Sequence, residues 1–400
     1  MINVNTLTRK AREMQAQLVE WRRHLHMHPE LSFNEIQTSA FVKSILEKHK
    51  ISYTDGWVKT GIVATIGKID SQQVVALRGD MDALPIHEQN KCDYVSKNEG
   101  VMHACGHDVH TTCALGAAVL LKEIEQELEG KIIIVFQPGE EVLPGGASLM
   151  LKEGALGNPL PKAIFGLHVF PEMEVGNLGF REGEYMASSD EIYLTVKGKG
   201  GHAAMRKQYN NPLLIASKIL IALENAFSEE NTAKHTTKPT VLAFGKIEGK
   251  GATNVIPDTV EIAGTFRAID EKWRAHAHEM INEITQKIAR ENAAEVIVDI
   301  RKGYPALTNH VALTQFAKKT ASELWGANCV KELDLRMTAE DFAYYSQQMP
   351  ACFFRLGTRN ESKGITSPVH TATFDVDEEA LVIGAGTMAW LAFQNLRSKI

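Results

Sequence analysis

The spacing of apolar residues changes along the chain and separates predicted helices from predicted strands. Apolar side chains recur every three or four positions over residues 6–27, which predicts a helix that Pro29 ends. Residues 108–128 also have the length and the apolar face of a helix. Short apolar runs rich in β-branched residues predict buried strands, at 62–66, 74–77, 131–137 and 163–169. Strands that alternate with helices predict an α/β layer with a largely parallel sheet.

The middle of the chain has a different order of elements. Strands and helices are predicted there in the order β-α-β-β-α-β, over residues 191–196, 212–227, 240–246, 259–267, 270–292 and 295–301. This is the order of the ferredoxin-like α+β unit. Because α/β features lie on both sides of it, we expect residues 1–183 and 303–400 to form one domain and residues 184–302 to form an inserted domain. The hinges are expected at 179–183 and 302–305, which contain Gly or Pro.

Composition is that of an ordinary soluble protein. The 400 residues exceed what one hydrophobic core usually holds, which agrees with two domains. The formal net charge of −6 argues against nucleic acid or an anionic membrane as the main partner. Five cysteines, an odd number without a disulfide-like pattern, are typical of a reducing compartment. The N-terminus lacks an apolar signal segment and no apolar run reaches about 18 residues, so we expect a cytoplasmic protein without a membrane span.

Polar residues follow three predicted strands directly. Asp80 and Asp82 follow the first of these strands, Glu140 and Glu141 follow the second, and His168 closes the third. Ligands of open α/β sheets bind in a crevice outside the carboxyl ends of the strands. The sequence therefore predicts that these side chains share one crevice.

A cysteine and a histidine precede the pair Glu140 and Glu141 by about thirty residues. Cys105 and His107 are separated by a glycine, which lets the backbone turn so that both side chains point the same way. Thiolate and imidazole are ligands for Zn²⁺ and similar transition metals. A buried structural cysteine beside a capping histidine is one alternative. A nucleophilic Cys105 activated by His107 or His103 is another.

The adjacent carboxylates of Glu140 and Glu141 could take two different roles, metal binding and proton transfer. Neighbouring residues in a loop can point in different directions, so one carboxylate can bind metal while the other takes a proton from water. The alternative is a solvated acidic pair at the start of a helix.

Ordered motifs along the whole chain carry a resemblance to one enzyme family. In its outer parts they are RHLHMHPELSFNE at 23–35, RGDMDALP at 78–85, MHACGHDVH at 102–110, FQPGEE at 136–141, GLHVFP at 166–171, TAEDF at 338–342 and VHT at 369–371. In its middle they are GKGGHAA at 198–204, TNVIP at 253–257 and GTFR at 264–267. With these motifs the chain resembles the aminoacylase/carboxypeptidase metallopeptidase family. The resemblance is to its amidohydrolase branch, which includes hippurate hydrolases, N-acyl-amino-acid amidohydrolases and auxin-conjugate hydrolases.

The resemblance implies a hydrolase with two divalent metal ions per subunit. Zn²⁺ or Mn²⁺ is expected, and Co²⁺ or Ni²⁺ is also compatible with the donors. By motif, the metal ligands would be Cys105, His107, Glu141, His168 and His370, with Cys105 bridging both ions. Glu140 would be the general base, and Asp82 would orient the ring of His107. The reaction implied is hydrolysis of an amide bond by a hydroxide that bridges the two ions.

The resemblance also gives roles to the inserted domain, as a lid and as the place where subunits associate. His202 would stabilise the oxyanion, and His202 and Asn254 would contact the substrate, within one subunit or across a dimer. Arg267 would clamp a substrate carboxylate with its planar guanidinium, and an ordinary surface charge at a strand end is the alternative. Residues 203–209 lack the Pro-His pair that is common in relatives, so the specificity is expected to differ.

The implied substrate is an N-acyl amino acid with an acetyl, benzoyl or other aryl-acyl group. The implied assembly is a homodimer or homotetramer that associates through the inserted domain. Three alternatives stay open: a dipeptidase on the same scaffold, a non-catalytic protein that binds small molecules, and a metal-free amidase with Cys105 as nucleophile. A binding protein would be expected to have lost Glu140 or a ligand, and this chain retains all of them.

Overall fold

The structure is a computed structural model that describes residues 2–398. Its α-helices are α1 (Val4–Glu13), α2 (Gln15–Met27), α3 (Ile36–Lys48), α4 (His107–Glu123), α5 (Gly146–Glu153), α6 (Pro212–Ala226), α7 (Glu229–Thr232), α8 (Glu271–Glu291), α9 (Val311–Trp325), α10 (Ala343–Ser346) and α11 (Glu379–Arg397). Its strands are β1 (Ser52–Trp57), β2 (Gly61–Gly67), β3 (Val74–Asp80), β4 (Lys131–Gln137), β5 (Ala163–Glu174), β6 (Leu178–Phe180), β7 (Gly183–Met186), β8 (Asp190–Lys197), β9 (Gly201–His202), β10 (Thr240–Glu248), β11 (Val255–Ile256), β12 (Thr259–Ala268), β13 (Glu295–Lys302), β14 (Leu307–Asn309), β15 (Val330–Glu332) and β16 (Ala351–Arg359).

The chain divides into two compact units. The first unit comprises Met1–Gly183, Thr308–Asp334 and Asp341–Ile400, and it contains an eight-stranded sheet with the strand order β1-β2-β4-β3-β5-β16-β6-β15. Strands β4, β3, β5 and β16 run parallel to their neighbours within this group. Helix α4 is buried along almost its whole length, which explains why its sequence is apolar on more than one face. The α/β class predicted from the strand and helix pattern is confirmed.

The register of the central strands brings their carboxyl ends to one edge of the sheet. Asp80 at the end of β3 pairs with Gln137 at the end of β4, and Arg78 in β3 pairs with Gly166 in β5. Because β3 and β4 end level with each other, the residues that follow them lie side by side. Strand β5 continues to Glu174, so His168 lies within this strand and does not close it as the sequence predicted. This edge is where the predicted polar residues meet.

The second unit comprises Glu184–Leu307 and Leu335–Glu340 and contains a four-stranded antiparallel sheet in the order β10-β12-β8-β13. Helices α6 and α8 contribute to the hydrophobic core over one face of this sheet, with Ile192, Leu194 and Phe266 among its buried side chains. Asp270 caps α8 by accepting the backbone N–H groups of its first turn. The βαββαβ order and the strand order are those of the ferredoxin-like unit predicted from the sequence.

The boundaries of the two units differ from the sequence-based ones at two short segments. Residues 303–307 and 335–340 belong to the second unit, whereas the sequence analysis placed them in the first. Hydrogen bonds explain the first difference, since the N–H of Gly303 donates to Asp190 Oδ1 at 3.0 Å and the N–H of Ala306 donates to Glu271 Oε1 at 2.7 Å.

Two other sequence-based expectations concern helices. The helix predicted over residues 6–27 is divided at Met14 into α1 and α2. Within residues 2–398, the structure contains no helix that is both long enough and apolar enough to cross a membrane.

Candidate metal centre

The loop before α4 places the first two candidate ligands. Gly106, between Cys105 and His107, has a φ of 84°, a left-handed conformation that glycine adopts without strain. A Cβ atom at this position would lie 2.5 Å from Val169 Cγ2, so only glycine lets the loop pack this closely on β5. His168 precedes Val169, and its Nε2 lies 3.4 Å from Cys105 Sγ.

All five predicted ligands converge on one region of the first unit. Cys105 Sγ lies 3.3 Å from His370 Nε2, and His370 Nε2 lies 3.3 Å from Glu141 Oε1. Glu141 Oε1 in turn lies 3.9 Å from His107 Nε2. The donor atoms of Cys105, His107 and His168 also lie within 4.8 Å of one another. The donor atoms of all five candidate ligands therefore lie in one connected cluster.

Two buried atoms in this cluster fit metal ions. Among residues 2–398, His107 Nε2 and Glu141 Oε1 have no hydrogen-bond partner, although each is shielded from solvent. A buried polar atom without a partner costs free energy unless something else satisfies it. Donors about 2.1 Å from a tetrahedral ion stand about 3.4 Å apart, close to the spacing seen here. Thiolate, imidazole and carboxylate donors together suit Zn²⁺, Mn²⁺, Co²⁺ or Ni²⁺.

Asp82 connects three of the residues in the cluster. Its Oδ1 accepts from His107 Nδ1 at 3.2 Å, which leaves His107 Nε2 free to bind metal. Its two oxygens also accept the backbone N–H groups of Glu140 and Glu141, at 3.0 Å each. The hydroxyl of Ser32 donates to Oδ2 at 2.6 Å. Asp82 thus orients the ring of the candidate ligand His107 and the loop that carries Glu140 and Glu141.

Glu140 is buried beside the donors rather than solvated. Glu140 is only 6% exposed, so its carboxylate is not part of a solvated acidic pair. The N–H of Asp341 donates to Glu140 Oε1 at 3.3 Å. Ligand atoms of Glu140, Glu141 and His107 lie within 4.8 Å of one another. Glu140 is therefore placed to exchange a proton with a molecule bound at the cluster.

The electrostatics of the cluster favour cations. Burial alone disfavours the imidazolium of His107, but the carboxylates of Asp80 and Asp82 outweigh burial and raise its pKa to about 10. Burial, reinforced by Glu141, raises the pKa of the Cys105 thiol well above its usual value. A nucleophilic cysteine and a metal-binding cysteine both act as thiolates, so ionisation of Cys105 here requires a nearby positive charge such as a metal ion. Burial also keeps His168 neutral by lowering its pKa, and neutral imidazole is the form that binds metal.

A second buried pair, His110 with Asp80, lies beside the candidate ligands and was not predicted from the sequence. His110 Nδ1 donates to Asp80 Oδ1 at 2.7 Å, and His110 Nε2 accepts the N–H of Val169 at 2.9 Å. Both ring nitrogens of His110 are therefore hydrogen-bonded within the protein. Asp80 Oδ2 lies 3.6 Å from His107 Nε2 and adds negative charge to the centre.

A buried arginine organises the same region. Arg78 donates to Asp80 Oδ2 at 2.5 Å, to Asp341 Oδ1 at 2.7 Å and to Gln137 Oε1 at 3.0 Å. Gln137 Nε2 donates in turn to Asp341. These bonds hold Asp341 in place, and the backbone N–H of Asp341 donates to Glu140. The signal that could have revealed this network is an arginine inside an otherwise apolar strand, because a buried arginine needs partners.

The remaining predicted site residues lie in the second unit. His202 and Val255 are paired between β9 and β11, which places Asn254 next to this short ladder. His202 is exposed, and its Nδ1 accepts the N–H of Ala204 at 3.1 Å. Arg267 is half-buried in β12, and its Nη1 is shielded from solvent without a hydrogen-bond partner among residues 2–398. An ordinary surface arginine would not have a buried N–H donor without a hydrogen-bond partner.

His103 should make the metal-free protein less stable in acid. It is 1% exposed, neither ring nitrogen has a hydrogen-bond partner within the described chain, and burial lowers its pKa to about 4. Between this value and the unfolded value of about 6.5 the unfolded state binds the extra proton, so stability falls as the pH falls through this window. The loss between pH 7.5 and pH 4 should be about 3 kcal/mol for this group.

The test compares the wild type with His103→Leu. Urea unfolding of both metal-free proteins at pH 7.5 and pH 4 gives two differences in free energy, and the wild type should lose about 3 kcal/mol more than the variant. Parallel losses in the two proteins would show that His103 is not buried in its neutral form.

Comparisons with known proteins extend these observations to the whole chain. Residues 76–394 match the family described as Peptidase family M20/M25/M40. The Arabidopsis thaliana protein named IAA-amino acid hydrolase ILR1-like 4 is 39% identical, over 95% of this chain and 86% of its own. The Bacillus subtilis protein named N-acetyl-L-cysteine deacetylase is 36% identical, over 95% of this chain and 87% of its own. A solved Bacillus subtilis structure, described as a dinuclear metal binding peptidase from the M20 family, is 33% identical with a TM-score of 0.83, over 96% and 99% of the two chains.

Proposed function

The chain belongs to peptidase family M20/M25/M40 and is a hydrolase, and from this premise we propose that it releases an amino acid from an N-acyl conjugate. The acyl group proposed is acetyl, benzoyl or another aryl-acyl group. The observation that carries the proposal is the convergence of one thiol, three imidazoles and a carboxylate beside the buried carboxylate of Glu140. The relatives named for an N-acetyl amino acid and for IAA-amino acids support this substrate class.

The proposed ligands hold two divalent ions, Zn²⁺ or Mn²⁺ in the first place and otherwise Co²⁺ or Ni²⁺. They are Cys105, His107, Glu141, His168 and His370. Bound ions of this kind polarise an amide carbonyl and lower the pKa of water. The unpaired His107 Nε2 and Glu141 Oε1 support the assignment, as does the solved relative described as dinuclear.

Glu140 carries the proton in the proposed reaction. Its carboxylate takes a proton from the attacking water and then gives it to the nitrogen of the leaving amino acid. The N–H of Asp341 and the contacts of the Glu140 backbone with Asp82 keep this carboxylate in place for both transfers. Asp82 meanwhile holds the His107 ring in the orientation and tautomer that a ligand needs.

We assign substrate binding in the second unit to His202, Asn254 and Arg267. The unpaired Nη1 of Arg267 supports a carboxylate as its partner, because a guanidinium matches the two oxygens of a carboxylate. His202 is proposed to stabilise negative charge on the acyl oxygen. Substitution of Arg267 by Met should raise KM more than it lowers kcat, since the carboxylate is equally bound before and during the reaction.

A small substrate panel tests the proposal. Metal-loaded protein is incubated with N-acetyl amino acids, hippurate and dipeptides that carry a free α-amine, and the released amino acid is measured. Faster hydrolysis of the N-acyl substrates is the expected result. A preference for dipeptides would move the assignment to a dipeptidase. Failure to cleave any amide with both ions bound would contradict the proposal and favour a binding protein.

We further propose that the protein is a homodimer or homotetramer formed through the second unit. Strand β10 is the outer strand of its sheet and leaves one backbone edge available for pairing. Val241 and Ile247 on this strand are 38% and 49% exposed, a high fraction for apolar residues. Sedimentation analysis that gave a monomer mass, near 44.2 kDa, would contradict this proposal.

A further inference from the structure

Three successive backbone N–H groups of the loop that carries Glu140 and Glu141 are held by two buried carboxylates. Asp82 accepts two of them, as described above. The third is the N–H of Gly139, which donates to Glu35 Oε1 at 2.8 Å across a separation of 104 positions in the chain. Glu35 is 0% exposed, so its carboxylate is fully withdrawn from water. Removing a buried carboxylate from solvent is costly unless several donors compensate.

The compensating donors of Glu35 come from three separate segments. Oε1 accepts the N–H of Phe33 at 2.8 Å in addition to that of Gly139. Oε2 accepts the hydroxyl of Thr60 at 2.7 Å. One oxygen therefore joins the loop before α3 to the loop before the proposed general base, and the other oxygen bonds to the turn between β1 and β2.

The two residues that share Glu35 Oε1 both have left-handed backbones. The φ angles are 64° for Phe33 and 61° for Gly139. A bulky residue such as Phe33 adopts this conformation only when its surroundings enforce it. A Cβ atom at Gly139 would overlap the Phe33 ring, so the ring fills the space that the glycine leaves. The two turns are matched to each other, and Glu35 is the group that bonds to both.

We propose that Glu35 is a positioning residue that fixes the turn at Gly139 and thereby sets the directions of Glu140 and Glu141. The kinetic part of this inference rests on the proposed function, because it concerns the general base. The part that concerns Glu141 is independent of the substrate, because it concerns metal affinity. Glu35 acts by placing an acceptor where two N–H groups converge, so its length matters more than its charge.

Two variants separate length from charge. Glu35→Asp keeps the charge but withdraws the carboxylate by about 1.5 Å, one C–C bond. Glu35→Gln keeps the length and an acceptor oxygen but removes the charge. For Glu35→Asp we expect kcat to fall about tenfold or more with KM changed less than twofold, and metal affinity to fall about tenfold or more. For Glu35→Gln both quantities should stay within about threefold of the wild type. Metal affinity is measured by competition with a chromogenic chelator.

Thr60→Val is the matched control, because it removes the donor to Oε2 and leaves the bond to Gly139. It should lower the melting temperature without changing kcat per metal-loaded chain. Gly139→Ala pushes the same turn against the Phe33 ring and should have the same effects on kcat and metal affinity as Glu35→Asp. It replaces Glu35→Asp in the test if that variant does not fold. Wild-type kcat and metal affinity in Glu35→Asp would overturn the proposal, as would equal losses in Glu35→Gln. If the wild type cleaves no amide, the proposed function fails, and the metal competition still decides the role of Glu35.

Discussion

Substitution of Glu140 by Gln should lower kcat for amide hydrolysis by about 10²- to 10⁴-fold, with unchanged metal content. Gln has the shape of Glu and keeps an oxygen that accepts the N–H of Asp341, so the loop should stay in place. What it loses is the ability to take a proton from water and return it to the leaving nitrogen. In the proposed reaction both transfers use this carboxylate, so the variant should lose both. The measurement is kcat and KM on the best substrate of the panel.

The control for this variant is Glu20→Gln, which removes the same charge from an exposed position on α2. It should have wild-type kcat. Metal content of each protein is determined alongside the kinetics. Full activity of Glu140→Gln would exclude Glu140 as the general base. Loss of an ion from this variant would instead assign Glu140 to the ligands.

Removal of metal should abolish activity and destabilise the protein. A chelator is expected to reduce hydrolysis to background, and addition of Zn²⁺ or Mn²⁺ should restore it with two ions bound per chain. The folded state alone presents the five ligands together, so an ion present at about 1,000 times its dissociation constant should stabilise it by about 4 kcal/mol. Calorimetric melting of metal-free and metal-loaded protein measures this difference. Activity that ignored the chelator would return the assignment to Cys105 as a nucleophile.

Two cysteine variants test whether the loss of activity on metal removal arises at the candidate metal centre. Cys105→Ser should reduce bound metal and activity together, because the thiol of Cys105 lies within 3.4 Å of two imidazole nitrogens of the cluster. Cys92→Ser removes a half-buried thiol outside the clusters of candidate ligands and should change neither quantity. Equal metal content in both variants would contradict the role of Cys105.

The architecture was largely predictable because its signals are local. Buried strands such as β4 consist of consecutive apolar, β-branched residues, and the βαββαβ order of the second unit follows from element lengths and spacing. The expected class and the ferredoxin-like unit were therefore confirmed. The boundaries of the units were not predictable, because bonds such as that from Gly303 to Asp190 join residues 113 positions apart and leave no periodic pattern.

The candidate ligands were implied by the sequence through the resemblance of its short motifs to those of one family. The groups that surround these candidate ligands could not be predicted from the sequence. Asp341 lies 201 positions from Glu140, and the motif that contains it carries no sign that its backbone N–H contacts this carboxylate. His110 stands within the same motif as Cys105 and His107, yet only the tertiary structure shows that its two ring nitrogens are bonded to Asp80 and Val169.

The sequence by itself predicted the α/β class and the inserted unit, because hydrophobic period is a property of neighbouring residues. Its ordered motifs indicated the family, and the resemblance to that family implied the candidate ligands. The tertiary structure alone decided that Glu140 is buried, that the donors lie within a few ångströms of one another, and that Asp82 and Glu35 hold the loop between them. These facts depend on contacts between distant segments. Such contacts form only when the whole sheet has brought the ends of its strands to one edge.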